Sequence, residues 1–194
     1  MADFLDYFDV EFMPKLGMRA PTFRAVFREM TARHHKVLVE TGCARKQDNW
    51  EGDGQSTLMW AAYARFNQAS LKTIDIDQEA VDLVSATANL PEGSHAICND
   101  SVKELAKHRG TIDLLYLDSY DVDMNNQHPA ALHCMFELLS ARKHLISGSI
   151  VFVDDSPVGP DFEVQGKGRY VAEYFKQMGI QPFTFAYQVA WLMP

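Results

Sequence analysis

A mostly parallel α/β sheet, with helices on both faces and an antiparallel strand at the C-terminus, follows from three patterns in the chain. From residue 21 onward, short apolar runs alternate with segments of helical periodicity. The apolar runs end repeatedly in acidic residues. The tail QPFTFAYQVAWLMP is aromatic and reads as one long strand or a tight hairpin. Alternating βα units build parallel sheets, because each crossover helix returns the chain to the same edge.

The elements follow in order. Residues 1 to 20 read as an N-terminal extension broken by Pro14 and Gly17, and residues 21 to 194 as a single domain. Pro21-Thr22 opens a helix whose Phe23, Val26, Phe27 and Met30 fall on one face. Val37-Leu38-Val39 is a buried strand ending at Glu40, followed by the small-residue turn Thr41-Gly42. Glycines recur at Gly52 and Gly54, and Gln55-Ser56-Thr57 leads into a helix over Leu58 to Ala69. A strand from Leu71 to Ile76 ends in acids, Asp75 and the following Asp77. A helix over Gln78 to Ala88 precedes a short strand, Ser94 to Cys98, and then Asn99-Asp100-Ser101 opens another helix. Ile112 to Leu117 is strongly apolar and ends at Asp118. After the polar loop 119–127, a helix starts at His128 with Pro129 in its first turn, its apolar stripe being Leu132, Met135, Phe136 and Leu139. Gly148 opens the strand Ser149 to Val153, which ends in Asp154-Asp155. Gly159 to Gly168 reads as a loop, and Val171, Tyr174, Phe175 and Met178 mark a helix closed by Gly179.

The bulk properties exclude several classes. A formal net charge of -8 and no dense Lys/Arg run argue against a nucleic-acid backbone binder. Arg19, Arg24, Arg28 and Arg33 read as the solvated side of a helix. Cys43, Cys98 and Cys134 form no CxxC and no even framework, which suits thiols as small core residues in a reducing compartment. The N-terminus MADFLDYFDVEF is acidic and unlike a targeting peptide, and no apolar run approaches the roughly 18 residues of a membrane span. The expected location is the cytoplasm.

Parallel sheets present ligand-binding groups at the carboxyl ends of their strands. Those ends read Glu40-Thr41-Gly42, Asp75, Asp100-Ser101, Asp118 and Asp154-Asp155. Glycine lets backbone approach a ligand closely, and an acid after the second strand can accept both hydroxyls of a ribose. Asp100 suits the amino group of an adenine. A row of acids at one edge repels itself unless a cation or hydrogen-bond donors neutralise it. Asp118, Asp154 and Asp155 are hard oxygen donors of the kind that hold Mg²⁺ among several waters. His34, His35, His95, His108, His133 and His144 have no metal-ligand spacing and read as surface or core residues.

On these residues the chain resembles the class I S-adenosylmethionine-dependent methyltransferases, a Rossmann-like family, over roughly residues 21 to 194. Within it the chain is most similar to metal-dependent O-methyltransferases of the macrocin and catechol types. The resemblance implies that Glu40, Gly42, Gly54 and Ser56 hold the methionine part of S-adenosyl-L-methionine. It implies Asp75 for the ribose and Asp100 with Ser101 for the adenine side. Asp118 in YLDSYD and Asp154-Asp155 in VFVDDS match the metal-binding acids, with Mg²⁺ as the metal. The implied reaction is in-line methyl transfer to a hydroxyl of a small molecule such as a sugar or natural product, with Asp118 in the catalytic set and His128 or Asp121 as the base.

Two features depart from the pattern. Cys43 to Glu51, with Trp50, is inserted into a glycine loop that is usually compact. Asp121 stands where the catechol type has a lysine. Two other readings remain open at this stage. One is a non-catalytic S-adenosylmethionine-binding or interaction protein. The other is an NAD-type dehydrogenase, against which the chain lacks GxGxxG and any Tyr-x-x-x-Lys pair. The N-terminal helix and the aromatic tail are candidate homodimer surfaces.

Overall fold

The computed structural model describes residues 3–52 and 55–194. Seven strands form one sheet in the order β3-β2-β1-β4-β5-β7-β6. They are β1 (Val37–Thr41), β2 (Ser70–Asp75), β3 (His95–Cys98), β4 (Ile112–Leu117), β5 (Leu145–Val153), β6 (Pro182–Phe185) and β7 (Val189–Leu192). The first five pair in parallel, whereas β7 runs antiparallel to both β5 and β6. The tail is thus the hairpin of the two alternatives. The strand order reverses between β1 and β4, so the crevice at a switch point opens beyond their carboxyl ends.

Helices cover both faces. Alternation along each strand sends Leu38, Leu71, Leu114, Tyr116, Ile150 and Phe152 to one side. There they meet α1 (Phe4–Glu11), α2 (Ala20–Arg33), α3 (Ser56–Asn67) and α4 (Gln78–Thr87). Val39, Ile74, Leu115, Leu117, Val151 and Val153 point the other way, toward α5 (Ser101–Lys107), α6 (His128–Ala141) and α7 (Arg169–Gln177). Strands buried on both faces are continuous apolar runs, as residues 114–117 of β4 and 150–153 of β5 are. No helix among the described residues is long and apolar enough to cross a membrane.

In the N-terminal segment Asp3 caps α1 by accepting from the Asp6 amide, Phe4 is buried against Phe27 and Tyr63, and Phe8 against Phe27. Several expectations change. The expected stripe of α6 is displaced. Leu132, Phe136 and Leu139 are exposed, while Ala130, Ala131, Cys134, Leu138 and Ala141 face the core. The helix is apolar on both sides, and small residues bring its backbone close to the sheet. Gly148 does not open β5. It lies inside the strand at φ +87, beside a register shift between Ile112 and Leu114, and its amide donates to Met193. Cys98 is exposed at the end of the edge strand, unlike the buried Cys43 and Cys134.

Candidate functional site

The turn after β1 is fixed by close backbone approach. Gly42 adopts φ +79, and a Cβ there would fall 2.5 Å from the Asp118 carbonyl oxygen at the end of β4. Its amide donates to Ile74 at 2.8 Å, and the next amide, of Cys43, donates to Asp75 Oδ2 at 2.9 Å. The Asp77 amide occupies Asp75 Oδ1 at 2.9 Å. The ends of β1, β2 and β4 therefore meet around one glycine. Gly54, the other glycine expected here, lies outside the described residues.

Beneath this turn Glu40 is fully buried. It accepts from Ser56 Oγ (2.6 Å), Thr57 Oγ1 (2.8 Å) and Thr73 Oγ1 (2.6 Å). Expected beside the cofactor, the Glu40–Ser56 pair ties β1 to β2 and to the start of α3, supporting the turn from below. Burial pushes the Glu40 carboxyl up to about 7, against the pull of its three hydroxyl donors. The sign follows. Between pH 4.5 and about 7 the native state retains a proton that the unfolded chain has lost, so this group's contribution to stability falls as pH rises. Relative to Glu40→Gln, the wild type should lose up to about 3 kcal/mol of unfolding free energy between pH 5 and pH 8. Denaturant titrations across that range check it, and parallel profiles for the two proteins would refute it.

Asp100 caps α5 through the Lys103 amide at 2.9 Å. Ser101 is buried, its Oγ 3.2 Å from His133 Nε2. His133 in turn faces Glu137 of α6 at 3.4 Å, and Glu137 also accepts from Ser119 Oγ at 2.6 Å. Its hydrogen bond to Glu137 raises the His133 pKa. Neither residue stood out in the sequence: His133 is one of several scattered histidines, and Glu137 is a lone acid in a mostly apolar helix.

At the ends of β4 and β5 the three acids do converge, but around cations from the chain itself. Lys167 Nζ, only 2 % exposed, bonds Asp118 Oδ1 and lies 3.0 Å from Asp155 Oδ2. Asp154 accepts from Tyr116 OH at 2.5 Å and from the Asp155 amide at 2.8 Å, with Arg19 Nε at 3.6 Å. Tyr187 OH donates to Asp155 Oδ1 at 2.6 Å. Burial and the hydrogen bond to Asp155 push the Tyr187 hydroxyl up to about 12, so it stays a donor. Lys167 is held in its charged form: burial opposes this, but the neighbouring Asp118 and Asp155 outweigh it. Arg19 corrects the sequence reading directly. Instead of lining a solvated helix face it is largely buried beside Asp154, its guanidinium 5.4 Å from the centre of the Tyr187 ring.

This donor set does not fit Mg²⁺. Both oxygens of Asp154 and both of Asp155 are engaged, as is Oδ1 of Asp118, and an ammonium stands between Asp118 and Asp155. Among the described residues no group of His, Cys, Asp and Glu is arranged to hold a metal ion. The structure brings Asp118, Asp154 and Asp155 together, as the strand ends imply, but with their counter-charges already in place.

The two candidate bases have partners of their own. Asp121 is exposed and pairs with Arg45 of the insert at 3.0 Å. His128 is exposed at the start of α6, where its Nδ1 bonds Tyr170 OH of α7. The insert itself folds back on the N-terminal segment: the Trp50 ring lies 5.8 Å from that of Phe12 and under Lys15 Nζ at 4.9 Å. A cavity of about 680 Å³ opens among the loop 158–164, α7 and the β6–β7 hairpin, lined by Phe162, Arg169, Tyr170, Lys176, Phe185 and Trp191. None of the strand-end acids lines it.

Comparison with known proteins follows the fold. Residues 51–156 match the model of the methyltransferase domain family. Among solved structures, MycE methyltransferase from the mycinamycin biosynthetic pathway, in complex with Mg and SAH, aligns at a TM-score of 0.62 and 16% identity. That match covers 98% of this chain and 54% of MycE, so the chain spans about half the length of that protein. The O-methyltransferase NovP aligns at a TM-score of 0.64 and 14% identity, over 90% of this chain and 79% of its own. CalS11, a TDP-rhamnose 3'-O-methyltransferase of calicheamicin biosynthesis, aligns at 0.56 and 15%, over 91% and 81%. No curated protein matches the chain by sequence.

Proposed function

Because the chain belongs to the methyltransferase domain family, we propose that it transfers the methyl group of S-adenosylmethionine to a hydroxyl of a small molecule, of the sugar or natural-product kind. The observation that carries this is the meeting of Gly42, Asp75 and Asp118 at the switch point of the sheet. Because it has no Cβ to strike the Asp118 backbone, Gly42 lets the ends of β1 and β4 close on each other and fixes the turn beside Asp75. The Asp75 carboxylate, half-buried beside that turn, has lone pairs beyond its two amide donors for the hydroxyls of a ribose. Asp100 and Ser101, at the next strand end, lie on the adenine side. Glu40 and Ser56 act through the turn they support. NovP and CalS11, both O-methyltransferases, favour oxygen as the acceptor atom.

The bound cofactor would supply a methyl group on a sulfonium, open to in-line displacement. The chain's part is orientation and charge. Asp118, at the end of β4, adjoins both the Gly42 turn and the Lys167 cluster, and so links the cofactor side to the acceptor side. His128 and Asp121 remain the candidates to receive the acceptor proton. Their partners Tyr170 and Arg45 belong to α7 and to the insert, so either base would answer to movement of the segments around an acceptor.

Calorimetry tests the cofactor reading. S-adenosylhomocysteine should bind the wild type and NAD should not. Asp75→Ala should weaken the binding by roughly tenfold to a hundredfold, the worth of losing hydrogen bonds to a charged acceptor. Binding of NAD alone, or unchanged affinity in Asp75→Ala, would overturn it.

A further inference from the structure

The acids at the ends of β4 and β5 are served by a lysine that the backbone is built to deliver. Lys167 lies in the turn Gly166-Lys167-Gly168, and each neighbour is constrained. Gly166 has φ +64, and a Cβ on it would lie 1.9 Å from the Asp155 carbonyl oxygen. A Cβ on Gly168 would meet Ser156 Oγ at 2.6 Å. Three backbone amides pin the turn: Gly166 donates to Gln127 Oε1 (2.8 Å), Lys167 to the Asp155 carbonyl (3.0 Å) and Gly168 to Ser156 Oγ (2.8 Å). Ser156 Oγ in turn donates to the Asp154 carbonyl at 2.7 Å. The turn thus clamps directly onto the acid pair. The ammonium has three hydrogens, and its acceptors are Asp118 Oδ1, the Asp118 carbonyl at 3.2 Å and Asp155 Oδ2.

We infer that Lys167 is the resident cation of this site, its ammonium filling the space between Asp118 and Asp155 that a divalent ion would need, so that the site operates without a metal. The bearing of this on catalysis rests on the methyl-transfer reading; the occupancy itself does not. With its hydrogens committed, Lys167 acts through charge and position. Together with Arg19 it sets two positive charges among the three acids, which offsets most of the repulsion in the cluster. Removing the ammonium while keeping the acids should leave a vacant set of hard oxygen donors, and hence a divalent-cation site.

The test uses Mn²⁺ as probe on the full chain, read by calorimetry and electron paramagnetic resonance. Wild type should take up no Mn²⁺ at millimolar concentration, and a chelator should leave its turnover unchanged. Lys167→Met, which keeps the aliphatic stem, should bind a single Mn²⁺ at least about tenfold more tightly than any residual uptake by wild type. That binding should raise the variant's Tm and vanish when Asp155→Asn is added. Lys167→Gln serves as a second variant should the methionine protein fold poorly. Stoichiometric Mn²⁺ uptake by wild type that Asp155→Asn abolishes would overturn the inference, as would a folded variant that gains no site. S-adenosylhomocysteine binding, measured alongside, separates the two readings. A wild type that binds it and also binds Mn²⁺ at Asp155 sinks only the resident-cation inference. One that binds neither sinks only the methyl-transfer reading.

Discussion

Asp154→Ala should unfold roughly 10–15 °C below the wild type, the equivalent of about 3–5 kcal/mol in a domain of this size. The carboxylate is 2 % exposed, and three groups depend on it: Tyr116 OH, the Asp155 amide and the Arg19 guanidinium. Truncation leaves each without its strongest acceptor in a place water reaches poorly. The buried Tyr116 hydroxyl keeps only a 3.4 Å approach from Gln188 Nε2, a donor that cannot replace an acceptor. Asp154→Asn retains an oxygen for the tyrosine and removes only the charge, so it should cost clearly less. A double-mutant cycle with Tyr116→Phe should return a coupling above 1 kcal/mol. If Asp154→Ala melts within 2 °C of wild type, the cluster contributes little to the fold.

Gly42→Ala should lose about 2–5 kcal/mol of stability and at least tenfold in affinity for S-adenosylhomocysteine. Two costs combine. The residue must hold φ +79, and its new Cβ would meet the Asp118 carbonyl oxygen at 2.5 Å, the Asp118 carbonyl carbon at 2.7 Å and Ser119 Cα at 2.9 Å. All three are backbone atoms, so relief requires the ends of β1 and β4 to part. Gly93 provides the control, because it shares φ +79 and has nothing within 4 Å of a built Cβ. Gly93→Ala should show only the conformational cost, about 1–2 kcal/mol, with cofactor affinity intact. Equal losses in the two variants would mean that close approach at Gly42 is unimportant.

The parts legible in sequence were those written in local pattern. Apolar runs such as Ile112 to Leu117 fix strands buried on both faces, and the glycine and acids at their ends mark the sheet's functional edge because side-chain direction follows from strand parity. The parts that were not legible depend on residues distant in the chain. Nothing near Arg19 announces that it meets Asp154, and Lys167 is a lone lysine until the fold brings its turn against Asp155. The Gly-Lys-Gly spacing was the available signal, since two glycines around one charged residue suggest a turn pressed against something. Parity also explains Glu40: it shares a face with Leu38, so its carboxylate turns inward to α3 and not out over the strand end. The α6 stripe misled because periodicity weighs large side chains, whereas this helix buries mostly small ones, Ala130, Ala131, Cys134 and Ala141.

The insert Cys43 to Glu51 constrains how this protein can change over generations. Arg45 reaches Asp121 in the loop after β4, and Trp50 rests on Phe12 beneath Lys15. A mutation in the insert is therefore felt in two other stretches of chain, and a new side chain is tolerated only where those stretches accept it. Positions 45 and 121 touch one another, as do 12, 15 and 50, so a substitution at one member of either set is expected to need an answering change within that set.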